Sequence, residues 1–137
     1  MRYPTKTAII LRHDLAAWQS ANVAAFLAGG LAGRFPDIVG VPYADRDGTA
    51  YAALIREPVF VFGADAAELQ RSRKRALSRG LDIAVYTHDL FATGNDDDNR
   101  AAVAAVAGED LDLVGLGLHG ERKIVDKVTG GLKFLTT

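Results

Sequence analysis

Five short apolar runs, separated for the most part by stretches of helical pattern, constrain this chain more than any other feature. They are Thr7 to Leu11, Pro58 to Gly63, Leu81 to Tyr86, Asp112 to Leu118 and Leu132 to Leu135. Runs of this length that are continuously apolar read as strands buried on both faces. Strands alternating with helices predict a three-layer α/β/α sandwich with right-handed crossovers and a mixed, mostly parallel sheet. The short final connection predicts an antiparallel edge. With 137 residues, 49% of them hydrophobic, the chain is long enough to bury one core, so residues 1–137 are read as a single domain.

The first run ends abruptly in Arg12, His13 and Asp14, and the third ends in Thr87, His88 and Asp89. The carboxyl ends of strands in open α/β sheets are where ligands usually bind. If the two strands are parallel neighbours, they bring His13, Asp14, Thr87 and His88 to one edge. His13 with Asp14, or His88 with Asp89, would supply acid and base near neutral pH. Adjacent residues on a strand point to opposite faces, however, so neither pair is assumed to form a dyad.

Between these strands the helical stretches carry their own signals. Ala21 to Ala32 reads as a core helix capped by Ser20. Its bulky face is Val23, Phe26, Leu27, Gly30 and Leu31. Its smooth face is Ala21, Ala24, Ala25, Ala28, Gly29 and Ala32. Such a helix is expected to be covered on both sides, by the sheet and by another backbone, a subunit or a ligand. Asn22 is its only strongly polar side chain, a solvent-facing or capping residue on one reading and a site residue on the other.

Asp45-Arg46-Asp47-Gly48-Thr49 invites a calcium loop, but the further oxygen ligands are lacking, and a turn on Asp47-Gly48 is the reading adopted. The lightly patterned stretch around it suits a segment that covers or lines a pocket. A helix opening at Asp65 and closed by Gly80 has an apolar arc of Ala66, Leu69, Ala76 and Leu77. Arg71, Lys74, Arg75 and Arg79 make a basic stripe opposite, a solvated face or an RNA-binding surface. Arg73 falls within the apolar arc, where a buried ion pair is expected. Asn95 to Asp98 reads as the acidic start of a helix over 99–107 rather than a metal cluster, so no metal and no cofactor is expected. Gly115 and Gly117 permit close backbone approach to the fourth strand.

Several function classes are excluded or weakened by composition. No cysteine is present, which removes disulfides, thiolate metal sites and a Cys nucleophile and suits a cytoplasmic location. A formal net charge of −1 offers no global attraction to nucleic acid or an anionic membrane. The apolar run after Met1 to Lys6 is too short for a signal peptide or a membrane span.

Gly115-Leu116-Gly117-Leu118-His119-Gly120, followed by Ile124 to Lys133 (Ile-Val-Asp-Lys-Val-Thr-Gly-Gly-Leu-Lys), resembles the C-terminal signature of type II peptidyl-tRNA hydrolases. Ile10-Leu11-Arg12-His13-Asp14-Leu15 is similar to their first strand, which ends Arg-x-Asp-Leu. The Asp45 to Thr49 loop and the Thr93-Gly94 connection resemble more closely the domain-of-unknown-function 2000 family, related in fold to those hydrolases. The resemblance implies their three-layer architecture and a homodimer, and it places His119 in a turn. Arg12 and Asp14 carry over from the active-site side. The hydrolases' lysine before the first helix has no counterpart in Ala17 to Ser20, Ala25 stands where their histidine would fall, and Thr87-His88-Asp89 replaces their Asp-Ala-Gly turn. These departures weigh against peptidyl-tRNA hydrolysis. The sequence therefore points to binding or transformation of a small molecule at the sheet edge, with Asp14, His88 and His13 as acid-base candidates. Arg12, Asn22, Thr87 and His119 are the candidate ligand contacts. The alternatives are tRNA-end binding or hydrolysis through the basic stripe, and a non-enzymatic dimeric interaction module.

Overall fold

The computed structural model describes residues 2–136. In chain order the elements are β1 (Thr5–Arg12), α1 (Ala17–Arg34), β2 (Tyr43–Ala44), β3 (Ala50–Tyr51), β4 (Val59–Ala64), α2 (Ala66–Ser78), β5 (Ala84–Thr87), α3 (Asp96–Ala104), β6 (Leu113–Glu121), α4 (Arg122–Thr129) and β7 (Lys133–Phe134). Single 3₁₀ turns span Pro36–Ile38, His88–Ala92 and Gly108–Asp110. The five expected strands all form, in a sheet of order β5-β6-β1-β4-β7, and β2 and β3 add a separate hairpin.

The sheet is mixed, but it is not mostly parallel. Only β1 and β4 pair in parallel, while β1–β6, β4–β7 and β5–β6 are antiparallel. The reason lies in residues 88–112. That connection leaves β5 and enters β6 at the same edge, so it does not carry the chain across the sheet as a parallel crossover must. β5 and β1 run in the same direction, yet β6 lies between them.

Alternation along β1 divides the core. Ala8 and Ile10 face Leu69 and Ala76 of α2 and Val125 and Val128 of α4, whereas Ile9 and Leu11 face Val23, Leu27 and Leu31 of α1. The helices thus cover both faces of the sheet. α1 comes close because β6 offers glycines on its side: a Cβ built on Gly115 would lie 2.6 Å from Val23 Cγ1 and 2.9 Å from Leu27 Cδ1. No helix among the described residues is long and apolar enough to cross a membrane.

Several local expectations are corrected. α1 begins at Ala17, four residues before Ala21, so Ser20 lies inside it; Ala16 is the N-cap residue, and its N–H donates to Gln19 Oε1. The smooth face of α1 is not covered, since Ala21, Ala25 and Gly29 are exposed and Phe26 with them. On α2, Ala66 and Leu77 are exposed and Ser72 takes their place in the core beside Leu69 and Ala76. Arg73 has no ion pair among the described residues; it is half-buried and lies across Gly108, where any Cβ would meet its guanidinium. α3 starts at Asp96 under an Asn95 cap, so Asp96, Asp97 and Asp98 form its first turn, the placement that its unpaired amides favour.

Candidate functional site

Because β1, β4 and β5 run in one direction, their carboxyl ends emerge together, beside the start of β6 and β7. Arg12 is the anchor of that edge. Its Nε donates to Asp14 Oδ1 and its Nη1 to Asp112 Oδ1, both at 2.8 Å. Partial burial works against the Arg12 charge, but the hydrogen bonds to Asp14 and Asp112 outweigh it and hold its pKa above the ordinary value. The same bond from Arg12 lowers the Asp14 carboxyl below its usual range, with slight burial opposing. The Asp112 carbonyl accepts the N–H of His88 at 2.9 Å, so Asp112 ties the end of β5 to the end of β1.

The two edge histidines diverge. His13 lies in the turn after β1 and lines a recess of about 280 Å³ shared with Glu68, Lys133 and Phe134. His88 is exposed on the other side and stands edge-on to Phe91, ring centroids 5.6 Å apart. Thr87 is 1% exposed and its hydroxyl is closed off without a partner among the described residues.

Beside His88 the edge opens into a groove between α1, β5 and the start of α3. Its volume is about 370 Å³, and a second compartment of about 350 Å³ continues from it past Phe26, Tyr86, Leu90 and Asn99. The aromatic side chains touch in series: Trp18 on Phe91 at 5.8 Å, Phe91 on Tyr86 at 5.3 Å, and Tyr86 on Phe26 at 5.7 Å. Trp18 and Phe26 are nevertheless 64% and 57% exposed, and both line the groove. Asn22 points inward from α1 and donates through Nδ2 to the Tyr86 hydroxyl at 3.4 Å. Asn99 faces it from α3, hydrogen-bonded to Thr93. Of the candidate catalytic and ligand-contact residues named from the sequence, Asn22 alone lines this groove. Trp18, Phe26, Phe91 and Asn99 add to it. The available signal was a tryptophan at the start of a helix and a phenylalanine directly after a polar strand end, both large apolar residues where no core was expected.

His119 lies elsewhere. It is not in a turn but within β6, paired with Thr7 at the amino end of β1. There the Thr7 hydroxyl donates to Glu57 Oε1 at 2.6 Å and the Thr5 hydroxyl donates to Glu57 Oε2 at 2.8 Å. His119 Nδ1 lies 2.9 Å from Thr7 Oγ1 and 3.2 Å from Glu57 Oε1. With the Thr7 proton committed to Glu57, the hydrogen bond between Thr7 and His119 is one that Nδ1–H donates to Thr7 Oγ1. The Glu57 side chain is 1% exposed, and the Phe35 ring packs over the imidazole at 4.9 Å. This cluster ties the segment after α1 to the far end of the sheet, opposite the carboxyl edge.

The basic side chains Arg71, Lys74, Arg75 and Arg79 belong to α2, on the sheet face opposite α1. Asp45 is occupied in its hairpin, accepting from the N–H groups of Asp47 and Thr49 and from the Tyr51 hydroxyl. Among the described residues no three His, Asp or Glu side chains converge as metal ligands.

Comparison with known proteins places this geometry. Residues 5–136 match the model of a family described as protein of unknown function, DUF2000. The solved structure of the protein of unknown function Atu0240 from Agrobacterium tumefaciens strain C58 is 38% identical, covers 98% of this chain and 100% of its own, and superposes with a TM-score of 0.95. No curated protein matches the chain.

Proposed function

The chain belongs to the DUF2000 family, and from that premise we propose that it binds a small ligand at the carboxyl edge of its sheet, in the groove between α1 and α3. One observation carries the proposal: two largely exposed aromatic side chains, Trp18 and Phe26, line a groove of about 370 Å³ together with the amides of Asn22 and Asn99. Exposed aromatic surface beside a few convergent polar groups, at the end of α/β strands, is the usual composition of a ligand site. The volume is that of a small molecule rather than a peptide.

Arg12, at the same edge of the sheet, is not a free cation for substrate. Two of its five N–H donors go to Asp14 and Asp112, whose two carboxylates outweigh its single charge, so it ties the edge together while leaving no uncompensated positive charge for a phosphate backbone. His88 is exposed and packs edge-on to Phe91, a residue of the groove wall, without itself lining the groove.

Trp18 is the only tryptophan in the chain, so its emission reports on this groove directly. A screen of small molecules should return compounds that change Trp18 emission saturably and raise the melting temperature in the same concentration range. Replacement of Phe26 by Ala should weaken both responses together. Compounds that stabilise the protein while leaving Trp18 emission untouched would place the site elsewhere.

A further inference from the structure

We infer that the ligand of this groove is a planar, uncharged heterocycle whose edge carries both an N–H donor and a carbonyl acceptor, the chemistry of a nucleobase lactam. The inference rests on the small-ligand reading above and specifies it.

Three features select that class. The first is shape: Trp18 and Phe26 bring two largely exposed aromatic rings to the groove, and aromatic surface is well covered by another flat ring. The second is the pairing of the amides. Asn22 is bonded to the Tyr86 hydroxyl and Asn99 to the Thr93 hydroxyl, so one end of each amide is engaged and the other is left for the groove. A hydroxyl donates or accepts, so the Asn22–Tyr86 pair can present either its carbonyl or its NH₂, and Asn99 can do the same because the single Thr93 proton also has the Leu90 carbonyl within reach at 3.0 Å. A lining of this kind matches a ligand edge that alternates donor and acceptor. It wastes that capacity on a hydrocarbon.

The third feature is charge. Arg100, the only cation on the groove, is paired with Asp96 and Asp97, and Asp96 itself lines the opening. Its lining therefore holds no unpaired cation, which disfavours a phosphate. A free base or nucleoside is the source this rim admits, in preference to a nucleotide or an RNA end.

Uridine is a direct probe, because its ring offers a single N–H flanked by carbonyls. Titration into the full chain should quench or shift Trp18 emission saturably. Uridine methylated at the ring N–H should bind about tenfold more weakly, the loss expected for one unmade hydrogen bond that leaves an amide unpaired. Asn22→Leu and Asn99→Leu should each produce a similar loss for uridine, while benzene, which can only stack, should bind the variants and the parent alike. Uridine monophosphate should bind more weakly than uridine.

The opposite results are equally informative. If methylation of uridine makes no difference, or if benzene or phenyltrimethylammonium saturates the Trp18 response at lower concentration than uridine, the lactam assignment falls while the small-ligand site stands. If an oligouridylate outbinds uridine with a steep salt dependence, the source is RNA and the nucleoside assignment is overturned. If neither these compounds nor the wider screen move Trp18, both readings fall. The methylated ligand keeps the test intact should either Asn variant fail to fold.

Discussion

Arg12 holds two carboxylates that would otherwise repel each other across the mouth of the sheet. Its side chain is 17% exposed, against 63% for Asp14 and 56% for Asp112, so the cation is desolvated more than its partners. Arg12→Met keeps the stem and removes both bonds, and it should cost about 1–2 kcal/mol in urea denaturation at neutral pH, because the stranded carboxylates retain water. The acid limb carries a sign. Asp14 has a lowered pKa, chiefly through the bond from Arg12, so the folded state holds that proton less tightly than the unfolded chain. The stability this contributes is present above the unfolded carboxylate value of about 3.9 and is lost as pH falls through the lowered folded value. The difference between wild type and Arg12→Met should therefore narrow toward strongly acidic pH, and a constant difference would show that the pairing contributes nothing. At the other end of the strand, Glu57 accepts from Thr5 and Thr7, with His119 Nδ1 3.2 Å away, while shut away from solvent. Glu57→Ala leaves those donors without an acceptor and should cost about 3 kcal/mol, and Glu57→Gln, which keeps the volume and one oxygen, less than half of that. A loss under about 1 kcal/mol for the Ala variant would mean the cluster is hydrated after truncation.

At the scale of elements, the seating of α1 on β6 decides where the groove can be. Val23, Leu27 and Leu31 descend onto Gly115 and Gly117, and that approach leaves Phe26 and Asn22 at the helix's flank, directed toward β5 and α3. Gly115→Ala would set a methyl against packed Val23 and Leu27 atoms on a face with no slack. It should cost about 1–3 kcal/mol and shift Trp18 emission as α1 moves. Gly29 is the internal control: it lies in the same helix with nothing within 4 Å of a built Cβ. Gly29→Ala should stabilise the chain by about 0.5–1 kcal/mol through helix propensity alone. Equal effects of the two substitutions would refute the seating of α1 on bare β6 backbone. The close approach was legible in the spacing of Gly115 and Gly117, but not which element approached. The smooth face of α1 was misread for a related reason: a run of Ala and Gly fits burial and exposure equally well, and only the positions of Val23, Leu27 and Leu31 tell which side meets the sheet.

Across the whole molecule, what could be read in advance was the set of five strands and the edge their polar ends mark. Strand direction was not readable, because apolar runs carry no arrow, and the return of β6 at the edge where β5 ends depends on how residues 88–112 pack. The aromatic groove was hidden for the same reason: Trp18, Phe26, Phe91 and Asn99 come from three separate segments that only the tertiary fold assembles. His119 was misplaced because its strand runs on past Leu118, held by pairing with β1 rather than by apolar character of its own. The resulting polarity separates two ends, a carboxyl edge carrying the groove and an amino end carrying Glu57 and His119. The β2–β3 hairpin leaves from the amino end, and residues 41–52 are all exposed, including Val41, Tyr43 and Tyr51. Its base is a short ladder in which Gly40 N–H donates to the Leu54 carbonyl at 2.8 Å and Arg56 N–H to that of Ile38 at 2.7 Å. Since the tip touches little but itself, replacing residues 42–52 with an Asn-Gly turn should preserve the ladder and the domain. The melting temperature should then change by no more than about 3 °C, consistent with less than about 1 kcal/mol, and ligand-induced change at Trp18 should match the parent chain. Loss of the Trp18 response on removal of this distant arm would mean that the two ends are coupled, and the groove would then have to be understood as one part of a larger site.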